Sequence, residues 1–187
     1  MIGEGWGKTD PKNAKNYRTR PSILVENDGT RILIDTSPDL RTQLLSAQVD
    51  RIDAVLYTHS HADHLNGIDD LRSVNRVIKD WIPTYANLQT WSDIVTRFNY
   101  VLEPLKNDTN FFYKPCLKRN DISAGDRFTI GNLDLIVMDQ DHGFMRTLGY
   151  RINNFAYSTD VVNVPEESFE ILEGISTWMV GALWEEP

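Results

Sequence analysis

Cysteine is nearly absent from this chain, with Cys116 the sole example. A single thiol forms no internal disulfide and no thiolate metal cluster, and the pattern suits a reducing, cytoplasmic setting. Long apolar runs are missing too. None approaches the roughly 20 residues that span a bilayer, and the N-terminus has no signal-peptide apolar core. Positive charge is in short supply: 19 Lys and Arg against 27 Asp and Glu leave a formal net charge of −8. That balance argues against a surface that grips nucleic acid along its length. It leaves room for a small anionic substrate, because a bound dication reverses the field locally. Histidine is scarce as well, with four in 187 residues.

What is present describes a globular domain. A 41% hydrophobic content is enough to build a core around sheets, and residues 1–187 are read as a single domain. Residues 1–20 carry Gly3, Gly5, Gly7 and Pro11 beside Lys12, Lys15, Arg18 and Arg20, a loop composition. Residues 22–26 and 31–35 flank Asn27-Asp28-Gly29 and form a hairpin, since glycine accepts the positive φ of a tight turn. Ser37 and Pro38 follow as N-cap and first helical residue, with Leu40, Leu44 and Leu45 as the buried stripe of that helix. An apolar strand over residues 54–58 ends at the histidines. Helices are predicted over 68–78, with Leu71, Val74 and Ile78 on one side, and over 88–100, with a strand at 82–85 between them. Residues 103–126 read as polar and irregular around Phe111-Phe112-Tyr113. Two hairpins follow, 127–130 with 133–138 and 148–152 with 155–158, then a short helix over 165–172 and a buried strand over 177–183. This order makes a mixed α/β domain whose sheets pack together on one face and carry helices on the other.

All four histidines fall inside one pattern. Thr58-His59-Ser60-His61-Ala62-Asp63-His64 brings three of them together with a carboxylate, and His142 is the fourth. The cluster follows a strand and precedes a helix, where α/β structures usually present ligand groups. Extended backbone points His59 and His61 the same way, and once the chain turns, Asp63 and His64 face a neighbouring position. His142, after Asp139-Gln140-Asp141 and before Gly143, ends another strand. Asp160 ends the strand Ala156-Tyr157-Ser158-Thr159 and can bridge two ions; its competing assignment is a turn cap. Neutral imidazole and carboxylate are zinc-type ligands, and three histidines with an open position suit a catalytic ion. Two ions about 3.5–4 Å apart would share a hydroxide and polarise a phosphoryl or carbonyl oxygen. A lone histidine is usually a core or surface residue. Four in one pattern are not read that way.

Thr58-His59-Ser60-His61-Ala62-Asp63-His64-Leu65-Asn66-Gly67 resembles the signature of the metallo-β-lactamase superfamily. Leu33-Ile34-Asp35-Thr36 resembles the preceding motif, whose aspartate supports the site. Asp141-His142-Gly143 and Tyr157-Ser158-Thr159-Asp160 resemble the third and fourth motifs, so the likeness spans residues 21–160. The regions around Trp6-Gly7-Lys8-Thr9-Asp10-Pro11, Arg18-Thr19-Arg20-Pro21-Ser22 and Gly67-Ile68-Asp69-Asp70-Leu71-Arg72 are similar to the branch of phosphonate-pathway cyclic-phosphate phosphodiesterases. Transfer-RNA 3′-processing nucleases lie nearby. The resemblance implies a four-layer αββα sandwich with metals at one edge of its two sheets. It implies His59, His61, His142 and Asp160 around one divalent ion and Asp63, His64 and Asp160 around a second, both zinc or manganese. Family members begin earlier and continue further, into a segment with a second-metal histidine and, in the phosphodiesterases, a histidine proposed as general acid. No histidine follows His142 here, so the resemblance implies a domain cut at both ends.

The expected function is that of a dinuclear phosphodiesterase acting on a small cyclic phosphate or nucleotide-like ester through metal-bound hydroxide. Asp63 is its expected catalytic residue, orienting or deprotonating the nucleophile. Hydrolysis of a thioester, lactone or β-lactam by the same site is a second reading, and a non-catalytic metal- or nucleotide-binding module a third. Arg18, Arg20 and Arg72 are candidates for holding substrate phosphate. Their competing assignment is a solvated surface or an ion pair with Asp69 or Asp70. Trp6 and Phe111-Phe112-Tyr113 are candidates to stack on a base or sugar, against core or lid packing. No membrane and no extended nucleic acid are expected as partners, and self-association is left open.

Overall fold

Two five-stranded sheets face each other in the computed structural model of the chain, which describes residues 5–102 and 117–181. The first contains β1 (Ile23–Asn27), β2 (Thr30–Ile34), β3 (Ala54–Leu56), β4 (Ile82–Ala86) and β5 (Leu117–Asp121), in that spatial order. β1 and β2 are antiparallel around Asp28 and Gly29, whose φ values of 43° and 82° suit a hairpin turn that follows the strand twist. The remaining pairs in this sheet are parallel. The second sheet runs in the order β10-β9-β8-β7-β6. Its strands are β6 (Arg127–Ile130), β7 (Leu133–Asp141), β8 (Arg146–Ile152), β9 (Phe155–Ser158) and β10 (Thr177–Val180), antiparallel except for β9 with β10.

Alternation along the strands builds the layers. Ile32 and Ile34 of β2, with Ala54 and Leu56 of β3, point between the sheets onto Leu135, Val137 and Tyr150. Leu33, Val55 and Tyr57 point the other way, beneath α1 (Leu40–Ser46), α3 (Leu71–Ile78) and α4 (Leu88–Phe98), where Leu40, Leu71 and Trp91 complete the outer core. β2 and β3 are thus covered on both faces, which is why they read as continuous apolar runs. On the far side, Met138 and Ala156 pack under Leu172 of α5 (Glu166–Leu172). The result is a four-layer αββα sandwich. Two hydrogen bonds tie the sheets together where β3 ends: Tyr150 Oη donates to the Tyr57 carbonyl at 2.6 Å, and the Leu148 N–H donates to the Thr58 carbonyl at 2.9 Å.

Several elements differ from the sequence expectation. α1 begins at Leu40 with Asp39 at its cap, and Ser37 Oγ accepts the Asp39 N–H at 3.2 Å in the turn before it. Leu45 is 68% exposed, because position i+5 lies about 140° around the helix from the buried Leu40. The predicted helix over 68–78 opens with a 3-10 turn at Ile68–Asp70, and a separate short helix, α2 (Ala62–Leu65), precedes it. β5 lies inside the stretch read as irregular: Leu117-Lys118-Arg119-Asn120-Asp121 has one buried residue, and its strand state comes from pairing with β4. β10, expected to be buried, is exposed along its length and pairs on one side with β9. Phe111-Phe112-Tyr113 and Cys116 lie outside the described residues.

Gly67 sets how closely two loops cross. Its N–H donates to the Thr36 carbonyl at 2.9 Å, and a Cβ there would stand 2.0 Å from the Ser37 carbonyl oxygen. Backbone cannot yield as a side chain does, so Gly67→Ala is expected to cost roughly 1–3 kcal/mol by overpacking. Urea unfolding checks this; an unchanged midpoint would show that the loops can part freely.

Candidate metal centre

Four strand ends meet at one edge of the sandwich. β2 runs into Asp35, β3 into Thr58–His64, β7 into His142 and β9 into Asp160. Asp35 is fully buried and organises the first two. Its carboxylate accepts the Thr58 N–H at 2.8 Å, the Thr58 hydroxyl at 2.8 Å and the His64 Nδ1–H at 2.7 Å. Having donated its proton to Asp35, Thr58 Oγ1 accepts from His59 Nδ1 at 2.9 Å. This network engages Nδ1 of both imidazoles and turns both Nε2 atoms outward.

Those Nε2 atoms converge on Asp160. Its Oδ2 lies 3.2 Å from His64 Nε2, 3.5 Å from His59 Nε2 and 3.9 Å from His142 Nε2. Two donor groups result, each with ligand atoms within 4.8 Å of one another: His59, His61, His142 and Asp160, and Asp63, His64 and Asp160. All six residues singled out in the sequence are brought together, and Asp160 belongs to both groups. Asp35 and Asp160 also share a left-handed backbone, at φ 61° and 49°, which is costly for a residue with a side chain.

The donors fit divalent cations. His59 Nε2 and His64 Nε2 are buried without a hydrogen-bond partner among the described residues, although each faces a carboxylate. Three carboxylates, Asp35, Asp63 and Asp160, crowd around the imidazoles. Burial opposes charge on His64, but the carboxylates of Asp160 and Asp35 outweigh it and raise the imidazole to about 10. His59, followed by His64, holds the Asp160 carboxyl well below the usual carboxylate range. His61 moves downward through burial and the neighbouring His59 and His142. A cation seated at Asp160 would take the place of the His64 proton, the usual exchange on metal binding.

Some supports could not be seen from the local sequence. Ser60, between two of the histidines, donates to Asp93 of α4 at 2.5 Å, and Arg97, one turn further, donates to the Ser60 carbonyl at 2.6 Å. The single clue was an Asp and an Arg spaced i, i+4 on a helix, which is too common to point anywhere. Phe144, at the tip of the β7–β8 loop, places its ring 5.2 Å from that of His142 and 5.7 Å from that of His61. The arginines have other company. Arg20 pairs with Asp39 at 2.7 Å, Arg72 pairs with Asp69 at 3.3 Å and lies over Tyr100, and Arg18 is exposed. Trp6 meets Tyr17 edge-on at 4.9 Å.

The family description "Beta-lactamase superfamily domain" matches residues 30–187. An octanoyltransferase of Porphyromonas gingivalis is 36% identical over 170 residues, covering 89% of this chain and 33% of that protein. A ribonuclease Z of Methanopyrus kandleri is 29% identical over 142 residues, covering 72% of this chain and 44% of that protein. The crystal structure of a diphosphatase from the PhnP family superposes with a TM-score of 0.75 at 32% identity, covering 86% of this chain and 59% of that one. The chain therefore spans between a third and three fifths of the length of these relatives.

The Asp35 network is open to a direct check. In Asp35→Asn the amide nitrogen would face donors, leaving at least one of Thr58 and His64 unsatisfied in a buried place. The expected loss is about 1–3 kcal/mol of stability, with the His64 titration midpoint falling below its value of about 10 in 15N-resolved histidine spectra. An unchanged midpoint would show that Asp35 does not help hold the His64 proton.

Proposed function

Because this chain belongs to the metallo-β-lactamase superfamily, we propose that it is a metal-dependent hydrolase of phosphodiester bonds in small phosphate or nucleotide-like esters. The observation that carries this reading is the position of Asp160 Oδ2, shared between two sets of nitrogen and oxygen donors. In this reading His59, His61, His142 and Asp160 hold one divalent ion, and Asp63, His64 and Asp160 hold another. Imidazole and carboxylate donors without thiolate suit zinc or manganese. When bound, such a pair lowers the pKa of a water and neutralises charge on phosphoryl oxygens.

The chain's own groups position and move protons. Asp63 has 47% of its side chain exposed and stands 3.6 Å from His64 Nε2, so it is the carboxylate that meets an incoming water. It orients that water and accepts its proton. Asp35 holds the Nδ1 side of His64, and through Thr58 that of His59, so that Nε2 of each is the atom presented to the centre, and α4 holds the intervening Ser60 in place. Arg20 and Arg72 are the candidate phosphate contacts: Arg20 would release Asp39, a surface pair of about 0–1 kcal/mol, whereas Arg72, half-buried, would leave both Asp69 and the Tyr100 ring. Two relatives carry the names of a ribonuclease and a diphosphatase, which favours phosphoryl chemistry. The acyl-transfer name belongs to a protein of which this chain matches a third.

Metal analysis after loading with Zn²⁺ or Mn²⁺ is expected to give two ions per chain, and Asp160→Ala to fall below one. With bis(p-nitrophenyl) phosphate, Asp63→Asn is expected to lose about 10²–10⁴-fold in kcat. A metal-loaded protein that spares the phosphodiester but opens a thioester, lactone or β-lactam would move the reading to acyl substrates. Binding of metal and nucleotide without turnover by any of these would reduce it to a binding module.

A further inference from the structure

Phe144 is 79% exposed, more than any other large hydrophobic side chain among the described residues. A single exposed apolar residue ordinarily calls for no explanation. This one leans on two imidazoles of the candidate centre, its ring tilted 44° to His142 and 35° to His61. A ligand bound at those imidazoles would lie within reach of its ring.

The ring is held there by backbone rather than by burial. The His142 N–H donates to the Met145 carbonyl at 2.9 Å, and the Gly143 N–H donates to Asp141 Oδ1 at 2.7 Å. Gly143 takes a φ of 88°, open to glycine and strained for other residues, which swings Phe144 out at the loop tip. The segment after Asp160 is bonded to the same loop: the Val162 N–H donates to the Asp141 carbonyl at 2.7 Å, and the Asp141 N–H to the Asn163 carbonyl at 2.9 Å. Val162, 70% exposed, therefore stands beside Gly143, where a Cβ would come within 3.9 Å of its Cγ2. Of the two apolar side chains on this pinned loop pair, Phe144 is the one set against the imidazoles.

We propose that Phe144 is a stacking platform that selects phosphate esters bearing a nucleobase or a comparable flat ring. This rests on the phosphodiesterase reading and names the substrate class for it. A ring 5.2–5.7 Å from the imidazoles places a stacked base within one nucleoside of a phosphate at the donor atoms. Aromatic stacking accepts any base, because every base offers a π-face. Phe144 carries no hydrogen-bonding side-chain group, so the platform distinguishes ring from no ring rather than one base from another.

The test compares metal-loaded wild type, Phe144→Ala and Phe144→Trp on two diesters with the same leaving group, thymidine 5′-(p-nitrophenyl) phosphate and methyl p-nitrophenyl phosphate. Phe144→Ala is expected to lower the preference for the nucleoside ester, measured as the ratio of kcat/KM values, by about tenfold, chiefly through KM. Phe144→Trp is expected to restore it. A ratio that is the same in Phe144→Ala as in wild type overturns the platform. If neither ester is cleaved by any of the three, the phosphodiesterase reading fails, and calorimetry on the zinc-loaded proteins decides the platform separately. Thymidine 5′-monophosphate binding about tenfold weaker in Phe144→Ala, relative to methyl phosphate, upholds stacking; equal weakening of both, or of neither, overturns it.

Discussion

The buried carboxylate of Asp35 is the constraint on which the candidate centre depends. A carboxylate sealed from water is tolerable only when its oxygens are saturated, and here a backbone amide, a hydroxyl and an imidazole do so. Each of those bonds also fixes something else. The amide bond sets where the chain leaves β3, the imidazole bond engages Nδ1 of His64, and the hydroxyl bond makes Thr58 an acceptor for His59. Left-handed backbone at Asp35 costs on the order of 1–3 kcal/mol. It persists because the turn directs the side chain inward beneath both histidines, where three donors compensate it.

The second sheet brings the remaining donors, and its placement depends on register. Tyr150 Oη and the Leu148 N–H both bond to carbonyls at the end of β3, so β8 is locked to the loop that carries three histidines. β7 is then placed by its pairing with β8, from Leu135 with Ile152 to Asp141 with Arg146, one residue short of His142. A slip by one residue would reverse every inward side chain, and the core of Leu135, Val137 and Tyr150 forbids it. Within that register Gly149 faces the buried Gln140, whose amide oxygen would lie 2.4 Å from any Cβ there. Gln140 keeps its buried place because that position lacks a side chain.

Legibility in the sequence followed locality. The histidine cluster could be read because its spacing and its position after an apolar strand are properties of seven consecutive residues. His142 and Asp160 were found because each terminates a run of strand character. Asp93 and Arg97 were not, since their contact with Ser60 joins positions 33 and 37 residues away. Phe144 escaped for a different reason: outside its loop, nothing separates an aromatic that waits at a site from one that fills a core. The misread elements lie at sheet margins. β5 is an edge strand whose polar side chains carry none of the continuous apolar character that marked β2 and β3. β10 is legible as a strand but lies exposed at an edge, where its apolar Trp178, Met179 and Val180 suggest burial.

Charge gives the centre its dependence on cations. The chain carries a net charge of −8, and Asp35, Asp63 and Asp160 add their carboxylates at the place where a phosphate would have to sit. With protons alone to balance them, the site draws His64, which is buried, up to about 10. Two dications in the same donor set would reverse the local field while the surface at large stays acidic. Attraction of an anionic ester would then be confined to the edge where the four strands end. The same acidity that counts against broad nucleic-acid binding sharpens the contrast between this edge and the rest of the surface. An uncharged aromatic at its rim, in the proposed role, would add selection without adding to that charge, which is the combination a small nucleotide-like ester would require.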